Sequence, residues 1–260
     1  MPEPQTWDER VFPGRFAGET VIVTGAGSGI GRAAALRVAA EGGRVVAADV
    51  SAERLEQLAA EAPEAGSITT VAGDISSLDD CAAIVAAADG RIDALANVAG
   101  IMDDFTPAHE VSDEVWERVL RVNVTGMMQL TRAVLPLMLD AGAGRIVNVA
   151  SEASFRGSAA GVAYTTSKHA VVGFTRSCAI MYGPDGIRTN AVAPGATITN
   201  IEAHFGSEHA MQRLGPYMAV NIGRPAQATQ VGATVAFLLS DDSTNVNGVT
   251  LASDNGWVAV

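Results

Sequence analysis

The sequence predicts an α/β fold, a doubly wound sheet of seven parallel strands with helices on both faces. Short runs rich in β-branched residues alternate with Ala-rich stretches of helical length along the whole chain. This alternation is typical of parallel strands joined by crossover helices. The 260 residues, 48% of them hydrophobic, provide enough apolar surface for one large core. Because no repeat or composition shift marks a linker, we expect one domain over residues 1–260, with an N-terminal extension over 1–15.

The strands are predicted where β-branched and small apolar residues cluster. In chain order they are Thr20–Thr24, Arg44–Asp49, Ile68–Ala72, Ala94–Val98, Arg145–Ala150, Arg188–Val192 and Val249–Ala252. Helices are expected between them, around residues 29–41, 52–61, 78–88, 113–140, 161–182 and 227–239. The polar segment 197–223 separates two of these elements, and we predict that it forms a helical lid over the substrate site.

Composition and charge exclude several classes of function. The net charge of −12 opposes binding to nucleic acid or to an anionic membrane. Cys81 and Cys178 lie in apolar stretches without metal-ligand spacing, and the four histidines form no recognisable metal motif, so we expect no metal. No apolar run approaches the length of a membrane span. These features predict a soluble cytoplasmic protein with reduced cysteines.

A glycine-rich loop follows the first strand and leads directly into an Ala-rich helix. It reads Thr-Gly-Ala-Gly-Ser-Gly-Ile-Gly over residues 24–31. Glycines let the backbone turn sharply and approach a pyrophosphate, whose charge the helix N-terminus stabilises. The sequence therefore predicts a dinucleotide site whose loop residues are Gly25, Ser28, Gly29, Ile30 and Gly31.

Two acidic residues at strand ends are expected to contact the adenosine half of the cofactor. Asp49 closes the second strand, where a carboxylate can accept hydrogen bonds from the ribose hydroxyls and would repel a 2′-phosphate. No arginine occupies the glycine loop or directly follows Asp49, so NAD(H) is favoured over NADP(H). Asp74 and Ile75 suit the exocyclic amine and the ring of adenine. For both acids the alternative is a helix cap.

The single lysine of the chain, Lys168, follows Tyr164 by four residues. At this spacing both side chains lie on one face of a helix. A nearby cation favours the phenolate, so we expect Lys168 to lower the pKa of Tyr164 towards the working pH. The pair therefore predicts a general acid/base.

Taken together, these motifs resemble those of the short-chain dehydrogenases/reductases, from about Phe16 to Trp257. The resemblance includes the glycine loop, Asn97-Val98-Ala99-Gly100, Asn123, Ser151, the Tyr-x-x-x-Lys pair, Pro194-Gly195 and Asp254-Asn255-Gly256-Trp257. Val98 departs from the commoner asparagine, and Asn255 stands where a glycine is more frequent. The resemblance implies a single Rossmann-like domain with a nicotinamide cofactor.

The resemblance also implies roles for individual residues. Tyr164 would be the general acid/base, Lys168 would lower its pKa and bind the nicotinamide ribose, Ser151 would orient the substrate oxygen, and Asn123 would hold a relay water. Asn97 would be largely structural, but it is also expected among the residues of the cofactor site. Further cofactor contacts are expected from Ala99, Gly100, Pro194, Gly195, Thr197 and Thr199. The family commonly forms homotetramers, through helices near 113–140 and 161–182 and through the C-terminal strand.

The expected substrate is a neutral, moderately hydrophobic secondary alcohol or ketone, because apolar side chains and acids mix in the predicted pocket. The pocket walls are expected to include Met102, Asp103, Asp104, Glu152, Phe155, Ile198, Glu202, Phe205, Tyr217 and Met218. Two other functions stay open. One is NADPH-dependent reduction of a 3-oxoacyl group on an acyl carrier protein, which the acidic charge opposes. The other is a non-catalytic dinucleotide sensor, which the complete Asn, Ser, Tyr and Lys set opposes.

Overall fold

The computed structural model describes residues 7–64, 66–201 and 205–260. Nine strands occur within those ranges: β1 (Thr20–Thr24), β2 (Arg44–Asp49), β3 (Ile68–Ala72), β4 (Ala94–Asn97), β5 (Gly144–Val149), β6 (Ile187–Pro194), β7 (Thr197–Ile198), β8 (Ala226–Gln227) and β9 (Thr250–Ser253). Seven of them form one parallel sheet in the order β3-β2-β1-β4-β5-β6-β9. The predicted fold class is confirmed, and the predicted strands differ from the observed ones by at most two residues at either end.

The helices are α1 (Gly29–Ala40), α2 (Ala52–Ala60), α3 (Leu78–Ala86), α4 (Asp113–Leu120), α5 (Met127–Ala141), α6 (Val162–Tyr182), α7 (Glu208–Asn221) and α8 (Ala228–Leu239). The single helix expected over 113–140 is divided by a π-helical turn, Arg121–Gly126. No helix in the described ranges is both long and apolar enough to cross a membrane.

The sheet has a core on each face because successive side chains of a strand point to opposite sides. Val21 and Val23 of β1 join the core beneath α1 and α8, whereas Ile22 joins the core beneath α3 and α5. Small residues bring α1 and α8 close together, since a Cβ on Gly232 would lie 3.1 Å from a backbone atom of Ala33. The firm packing of α1 fixes the position of the glycine loop that precedes it.

The described part of the N-terminal extension is tied to the end of α1. Glu41, fully buried at the C-terminus of that helix, accepts a hydrogen bond from the Phe12 amide at 3.0 Å. The same carboxylate pairs with Arg37 at 2.5 Å and with Arg15 at 3.3 Å. These contacts satisfy a buried charge whose position at a helix C-terminus is otherwise unfavourable.

The segment predicted as a helical lid starts with β7, which pairs with β8 in a separate two-stranded sheet. The helix of this segment is α7, over Glu208–Asn221. Its cap is Ser207, whose Oγ accepts a hydrogen bond from the Ala210 amide at 3.0 Å. The segment therefore leaves and rejoins the domain at one point, next to the carboxyl ends of the main strands.

Candidate active site

A cavity of about 1000 Å³ lies along the carboxyl edge of the sheet. Its wall runs from the glycine loop and Asp49, past Gly100, to the residues that follow β5 and β6. Ligands of open α/β sheets bind at this edge. Among the residues predicted for the cofactor, the cavity is lined by Gly25, Ser28, Gly29, Ile30, Gly31, Asp49, Asp74, Ile75, Ala99, Gly100, Tyr164, Lys168, Pro194, Gly195, Thr197 and Thr199.

The glycine loop is packed so closely that larger residues do not fit. A Cβ on Gly31 would lie 2.2 Å from the Gly25 carbonyl oxygen, and one on Gly27 would lie 2.8 Å from Asp49 Cγ. Ser28 is the N-cap of α1, but its side chain makes no capping hydrogen bond. The helix N-terminus therefore faces the cavity without an internal anion, which fits the binding of a pyrophosphate.

Asp49 fixes the backbone around the end of β2, where that strand meets the cavity. Its Oδ2 accepts a hydrogen bond from the Gly27 amide at 3.0 Å, and its Oδ1 accepts one from the Ser51 amide at 2.9 Å. The N-cap of α2 is Ser51, whose Oγ accepts a hydrogen bond from the Arg54 amide at 3.3 Å. Arg54 Nη2 also lies 3.9 Å from Asp49 Oδ1. Sequence reasoning missed this arginine, although its spacing from Asp49, one turn into a predicted helix, could have indicated it.

Asp74 and Ile75 occupy the neighbouring strand end. Asp74 Oδ1 accepts a hydrogen bond from the Ser76 amide at 2.8 Å, and the cap of α3 is Ser77. Ile75 is buried against the π-helical turn, where a Cβ on Gly126 would lie 2.8 Å from Ile75 Cγ1. The alternative of a helix cap therefore does not describe Asp74, whose carboxylate instead closes a turn beside the cavity.

Asn97 lies beneath the cavity, within the sheet. Its Nδ2 donates hydrogen bonds to Thr131 Oγ1 at 3.0 Å and to Asn148 Oδ1 at 2.8 Å, and Asn148 in turn donates to Thr175 Oγ1 at 2.9 Å. These buried side chains tie β4 and β5 to α5 and α6. Asn97 is absent from the described cavity lining, so the structure does not bring it to the cavity with the other residues predicted for the cofactor.

Thr24 supports the loop after β4, a role that sequence reasoning missed. Its buried Oγ1 accepts hydrogen bonds from the amides of Val98 at 3.0 Å and Ala99 at 3.1 Å. The threonine of the glycine loop thereby fixes the backbone of the second motif. Only the adjacency of β1 and β4 in the sheet reveals this contact.

Ser151, Tyr164 and Lys168 meet at the cavity wall. Ser151 follows β5, and the other two residues lie on successive turns of α6. The side chain of Ser151 is hydrogen-bonded to that of Tyr164. Lys168 Nζ donates a hydrogen bond to the Val149 carbonyl oxygen at 2.8 Å and lies 5.4 Å from the centroid of the Tyr164 ring.

Burial dominates the electrostatics of this pair. The pKa of Tyr164 is raised to about 12, mainly by burial; the interaction with Ser151 lowers it in part, and the charge of Asp103 contributes to the rise. Burial also lowers the pKa of Lys168 to about 8. The expectation that Lys168 lowers the pKa of Tyr164 is not met, because the ammonium is directed at a carbonyl oxygen and the ring has lost its contact with solvent.

Asn123 lies in the π-helical turn and is buried. Its Oδ1 accepts a hydrogen bond from the Ile101 amide at 2.8 Å, and its Nδ2 donates to the Ile101 carbonyl at 2.9 Å and to Ser167 Oγ at 3.1 Å. A Cβ on Gly100 would lie 3.3 Å from Asn123 Oδ1 and 3.4 Å from Lys168 Nζ. Gly100 thus separates the predicted relay residue from the lysine, where a side chain would intrude.

Gly195 and Thr199, which follow β6, pack closely against other walls of the cavity. A Cβ on Gly195 would lie 2.9 Å from Asp254 Cα, so the chain turns closely past the C-terminal motif. Thr199 Cβ lies 3.0 Å from the position of a Cβ on Gly29. The segment that begins at Thr197 therefore covers the glycine loop directly.

Some of the residues predicted for the substrate pocket line the cavity, and others do not. Met102, Ser151, Glu152, Ile198 and Met218 line the cavity. Phe155 is 39% exposed and does not belong to the described lining, because the 3₁₀ turn over Glu152–Ser154 directs the chain away. Phe205 stacks on Phe105, with ring centroids 4.5 Å apart, behind the lining. Glu202 lies outside the described residues.

Two of the acids expected at the pocket wall are buried. Glu152 is covered almost completely and pairs with Arg156 at 3.0 Å. Burial and the neighbouring Asp254 raise its pKa to about 7. Asp103 is fully buried behind the cavity and accepts backbone hydrogen bonds, so its placement in the pocket wall is wrong. Burial raises the pKa of this carboxyl, and the backbone hydrogen bonds that it accepts oppose the shift.

Comparison with known proteins identifies the family. A family model described as short chain dehydrogenase matches residues 19–210. The 3beta-hydroxysteroid dehydrogenase 2 of Eggerthella lenta is 39% identical over 253 residues, which cover 94% of this chain and 96% of that protein.

Solved structures agree with the sequence comparison. The crystal structure of levodione reductase gives a TM-score of 0.85 at 37% identity and covers 94% of this chain and 99% of that one. A 3-ketoacyl-(acyl-carrier-protein) reductase from Brucella melitensis, complexed with NADH, gives a TM-score of 0.84 at 32% identity over 93% and 99% of the two chains. The chain belongs to the short chain dehydrogenase family.

Proposed function

We propose that this oxidoreductase interconverts a secondary alcohol and a ketone with NAD(H) as cofactor. The observation that carries the proposal is the convergence of Ser151, Tyr164 and Lys168 on a cavity that continues to the glycine loop and Asp49. A dinucleotide stretched along this edge would bring its nicotinamide end to Tyr164 and its adenosine end to Asp49. The bound nicotinamide would supply the hydride-transfer chemistry.

The residues of the chain have two tasks: they orient the substrate oxygen, and they exchange one proton with it. Ser151 donates a hydrogen bond to the substrate oxygen, and Tyr164 exchanges a proton with that oxygen. Lys168, within reach of both Gly100 and the tyrosine ring, binds the nicotinamide ribose. Asn123 holds the loop at Ile101 and provides the polar link behind Lys168.

NAD(H) is proposed over NADP(H) because the Asp49 carboxylate occupies the end of β2 and would repel a 2′-phosphate. The two amide hydrogen bonds that it accepts hold it in place. Arg54 is the one opposing feature, but its closest guanidinium nitrogen is 3.9 Å from Asp49 and is therefore partly neutralised by it.

The substrate is proposed to be a neutral, moderately hydrophobic alcohol or ketone. Met102, Phe105, Ile198, Met218 and Trp257 give the substrate end of the cavity an apolar wall. Two relatives are named 3beta-hydroxysteroid dehydrogenase 2 and levodione reductase, and these names support the inclusion of steroid and other cyclic compounds in a first panel.

Reduction of a carrier-bound 3-oxoacyl group is the second candidate, favoured by the likeness to the Brucella melitensis reductase. Arg118 lines the described cavity, which gives an acidic carrier one cationic contact. The net charge of −12 opposes that docking. Acetoacetyl thioesters with and without a carrier protein distinguish the two candidates, since a carrier-dependent enzyme should prefer the loaded carrier.

The proposal is tested by NAD⁺ reduction with a panel of cyclic, terpenoid and steroid secondary alcohols, repeated with NADP⁺. Tyr164→Phe should lower turnover about 10²- to 10⁴-fold, because the proton acceptor is lost while the ring remains. NADH binding, followed by fluorescence, should be unchanged. Tyr182→Phe, at the far end of the same helix, is the matched control and should retain turnover. Full activity in Tyr164→Phe, or tight NADH binding with no turnover of any compound, contradicts the assignment, and the second result favours a sensor.

A homotetramer is proposed as the working assembly. Ile180 and Met181 at the end of α6 are 76% and 66% exposed, which is unusual for adjacent apolar side chains. Their position on one of the helices expected at an interface supports the proposal. Sedimentation equilibrium at micromolar concentration tests it, and a monomer mass there contradicts it.

A further inference from the structure

The helix that carries Tyr164 and Lys168 begins without a cap of its own. Its N-cap is Gly161, which has no side chain to accept a hydrogen bond. The first N–H groups of a helix have no partner within the helix, and when they are buried they need one from elsewhere. The first hydrogen bond inside α6 runs from the Thr165 amide to the Gly161 carbonyl at 3.0 Å.

The loop over residues 103–106 supplies the missing acceptors. Asp103 Oδ1 accepts a hydrogen bond from the Gly161 amide at 3.2 Å, and Oδ2 accepts one from the Tyr164 amide at 2.8 Å. The Ala163 amide lies close enough to this carboxylate to lower its pKa. The Val162 amide donates to the Thr106 carbonyl oxygen at 3.0 Å. Three of the first amides, those of Gly161, Val162 and Tyr164, are thereby satisfied from outside the helix.

Asp103 is built into this position. It is fully buried, and its Oδ1 accepts a further hydrogen bond from the Phe105 amide at 3.1 Å. A Cβ on Gly161 would lie 2.5 Å from Asp103 Oδ2 and 2.6 Å from the Thr106 nitrogen, so the close approach requires a glycine. Charge-assisted hydrogen bonds at a helix N-terminus also gain from the helix dipole.

The same loop contacts the segment before α7. Phe105 stacks on Phe205, and the Gly206 amide donates a hydrogen bond to the Asp104 carbonyl at 2.9 Å. Phe105 is also packed in one apolar cluster with Tyr164. A shift of this loop would therefore be felt both at the tyrosine and at the substrate end of the cavity.

We propose that Asp103 is a positioning residue, which replaces the absent cap of α6 and holds the backbone of Tyr164 in register with Ser151. The role in turnover rests on the proposed function of Tyr164 as general acid/base. The anchoring of the helix does not, and the experiments below separate the two.

Asp103 also adds a negative charge close to the phenol. The charged groups that face Tyr164 are Asp103 and Lys168, and the Ser151 hydroxyl is its hydrogen-bond partner. The charge of Asp103 raises the pKa of Tyr164. Removing the charge should therefore move the pH midpoint of alcohol oxidation to lower pH, an effect that general loosening of the fold would not produce.

The first experiment compares Asp103→Asn with the wild-type enzyme. Either orientation of the new amide turns an NH₂ group towards a backbone N–H, because both carboxylate oxygens accept backbone hydrogen bonds. We expect kcat to fall by about 10- to 100-fold, the cost of a misplaced catalytic group. The KM for NAD⁺ should not change, and the pH midpoint should shift towards acid.

Asp93→Asn is the matched control. Asp93 also accepts a backbone hydrogen bond, from the Thr20 amide at 2.8 Å, but at the opposite edge of the sheet. It should lower the thermal midpoint without changing kcat or the pH midpoint. Wild-type kcat in Asp103→Asn overturns the proposal. So does a loss of activity that matches the unfolded fraction and leaves the pH midpoint in place.

The second experiment uses the wild-type chain and needs no substrate. Amide hydrogen exchange at Gly161, Val162 and Tyr164 should be slower than at Ala52 and Glu53, in the first turn of α2. Fast exchange at the α6 amides overturns the anchoring role, even if Asp103→Asn fails to fold. Slow exchange in a protein that turns over no alcohol supports the anchor and rejects the proposed function instead.

Discussion

Tyr164 and Lys168 are four residues apart, yet burial shifts each towards its neutral form. The pKa of the phenol rises to about 12 and that of the ammonium falls to about 8. Both shifts follow from loss of solvent rather than from their mutual attraction. Which group the Lys168 ammonium stabilises therefore depends on the direction of its Nζ. That atom points at the Val149 carbonyl oxygen.

Asp49→Ala should change the choice of cofactor. Loss of the carboxylate removes the repulsion of a 2′-phosphate and frees Arg54, now 3.9 Å away, to contact one. We expect the ratio of kcat/KM for NADP⁺ to that for NAD⁺ to rise about tenfold, equivalent to about 1.4 kcal/mol. Steady-state kinetics with both cofactors measures this ratio.

The double variant Asp49→Ala/Arg54→Ala is the control for this effect. If Arg54 supplies the new contact, most of the gain should disappear in the double variant, which measures the coupling between the two residues. An unchanged ratio in Asp49→Ala alone would show that another group sets the preference.

Residues adjacent in sequence were predicted well, and those brought together only by turns were not. The glycine loop, Asp49, Ser151 and the Tyr-x-x-x-Lys pair follow strands or share a helix, so local spacing places them along the described cavity. Asp103 and Phe155 depend on the path of irregular loops. A one-residue change in such a path turns a side chain from the cavity into the core or into solvent.

At the level of elements, the π-helical turn between α4 and α5 is the main departure from the predicted helices. Its sequence has no proline and an apolar pattern that also suits an α-helix. The turn accommodates Asn123, which binds both backbone groups of Ile101, and Gly126, which packs on Ile75. Such turns often occur at functional sites, and these contacts become visible only once the neighbouring strands are in place.

Glu41→Gln should destabilise the junction between α1 and the N-terminal segment. The variant removes a buried charge and leaves the buried guanidinium of Arg37 with Glu9 as its remaining carboxylate partner. Breaking one side of a buried ion pair typically costs about 3–5 kcal/mol. Urea unfolding at fixed protein concentration should show a lower midpoint with the same slope.

Glu61→Gln provides the comparison, since Glu61 is the C-cap of α2 and pairs with Arg32 at the surface. Exposed pairs contribute roughly 0–1 kcal/mol, so its midpoint should stay close to that of the wild-type chain. Equal losses in the two variants would show that burial does not set the value of the α1 pair.

At the scale of the whole molecule, the strand order is what turns separate motifs into one site. β1 lies between β2 and β4, so the glycine loop is flanked by Asp49 on one side and by Ala99 on the other. Alternating β and α segments predicted the layers, because crossover connections bury both sheet faces. Helix boundaries and the placement of 197–223 required packing information that no local pattern contains.

Stability of the molecule should fall between about pH 4.5 and pH 7 because of Glu152. Its pKa is raised from 4.5 to about 7 in the folded state. The folded protein therefore binds this proton more tightly than the unfolded chain. The resulting stabilisation is complete below pH 4.5 and is lost as the pH rises through 7, at no more than about 1.4 kcal/mol per pH unit.

Urea unfolding across this pH range, with Glu152→Gln beside the wild type, isolates the contribution. The variant cannot bind the proton, so its unfolding free energy should decline less from pH 4.5 to 7. Glu56→Gln, on the exposed face of α2, should keep the wild-type dependence. Parallel curves for the wild type and Glu152→Gln would contradict the raised pKa.

Lys168 offers a single side-chain amine at which this chain can be chemically labelled. Because the sequence contains no other lysine, acylation or reductive methylation of side-chain amines has a single target, and that target lines the cavity. With its pKa lowered to about 8, the amine has a substantial neutral, nucleophilic fraction under mildly alkaline conditions. The fraction of the Lys168 peptide that gains mass would then measure the fraction of cavities without bound dinucleotide. Dinucleotide binding could therefore be titrated by mass spectrometry without an engineered tag.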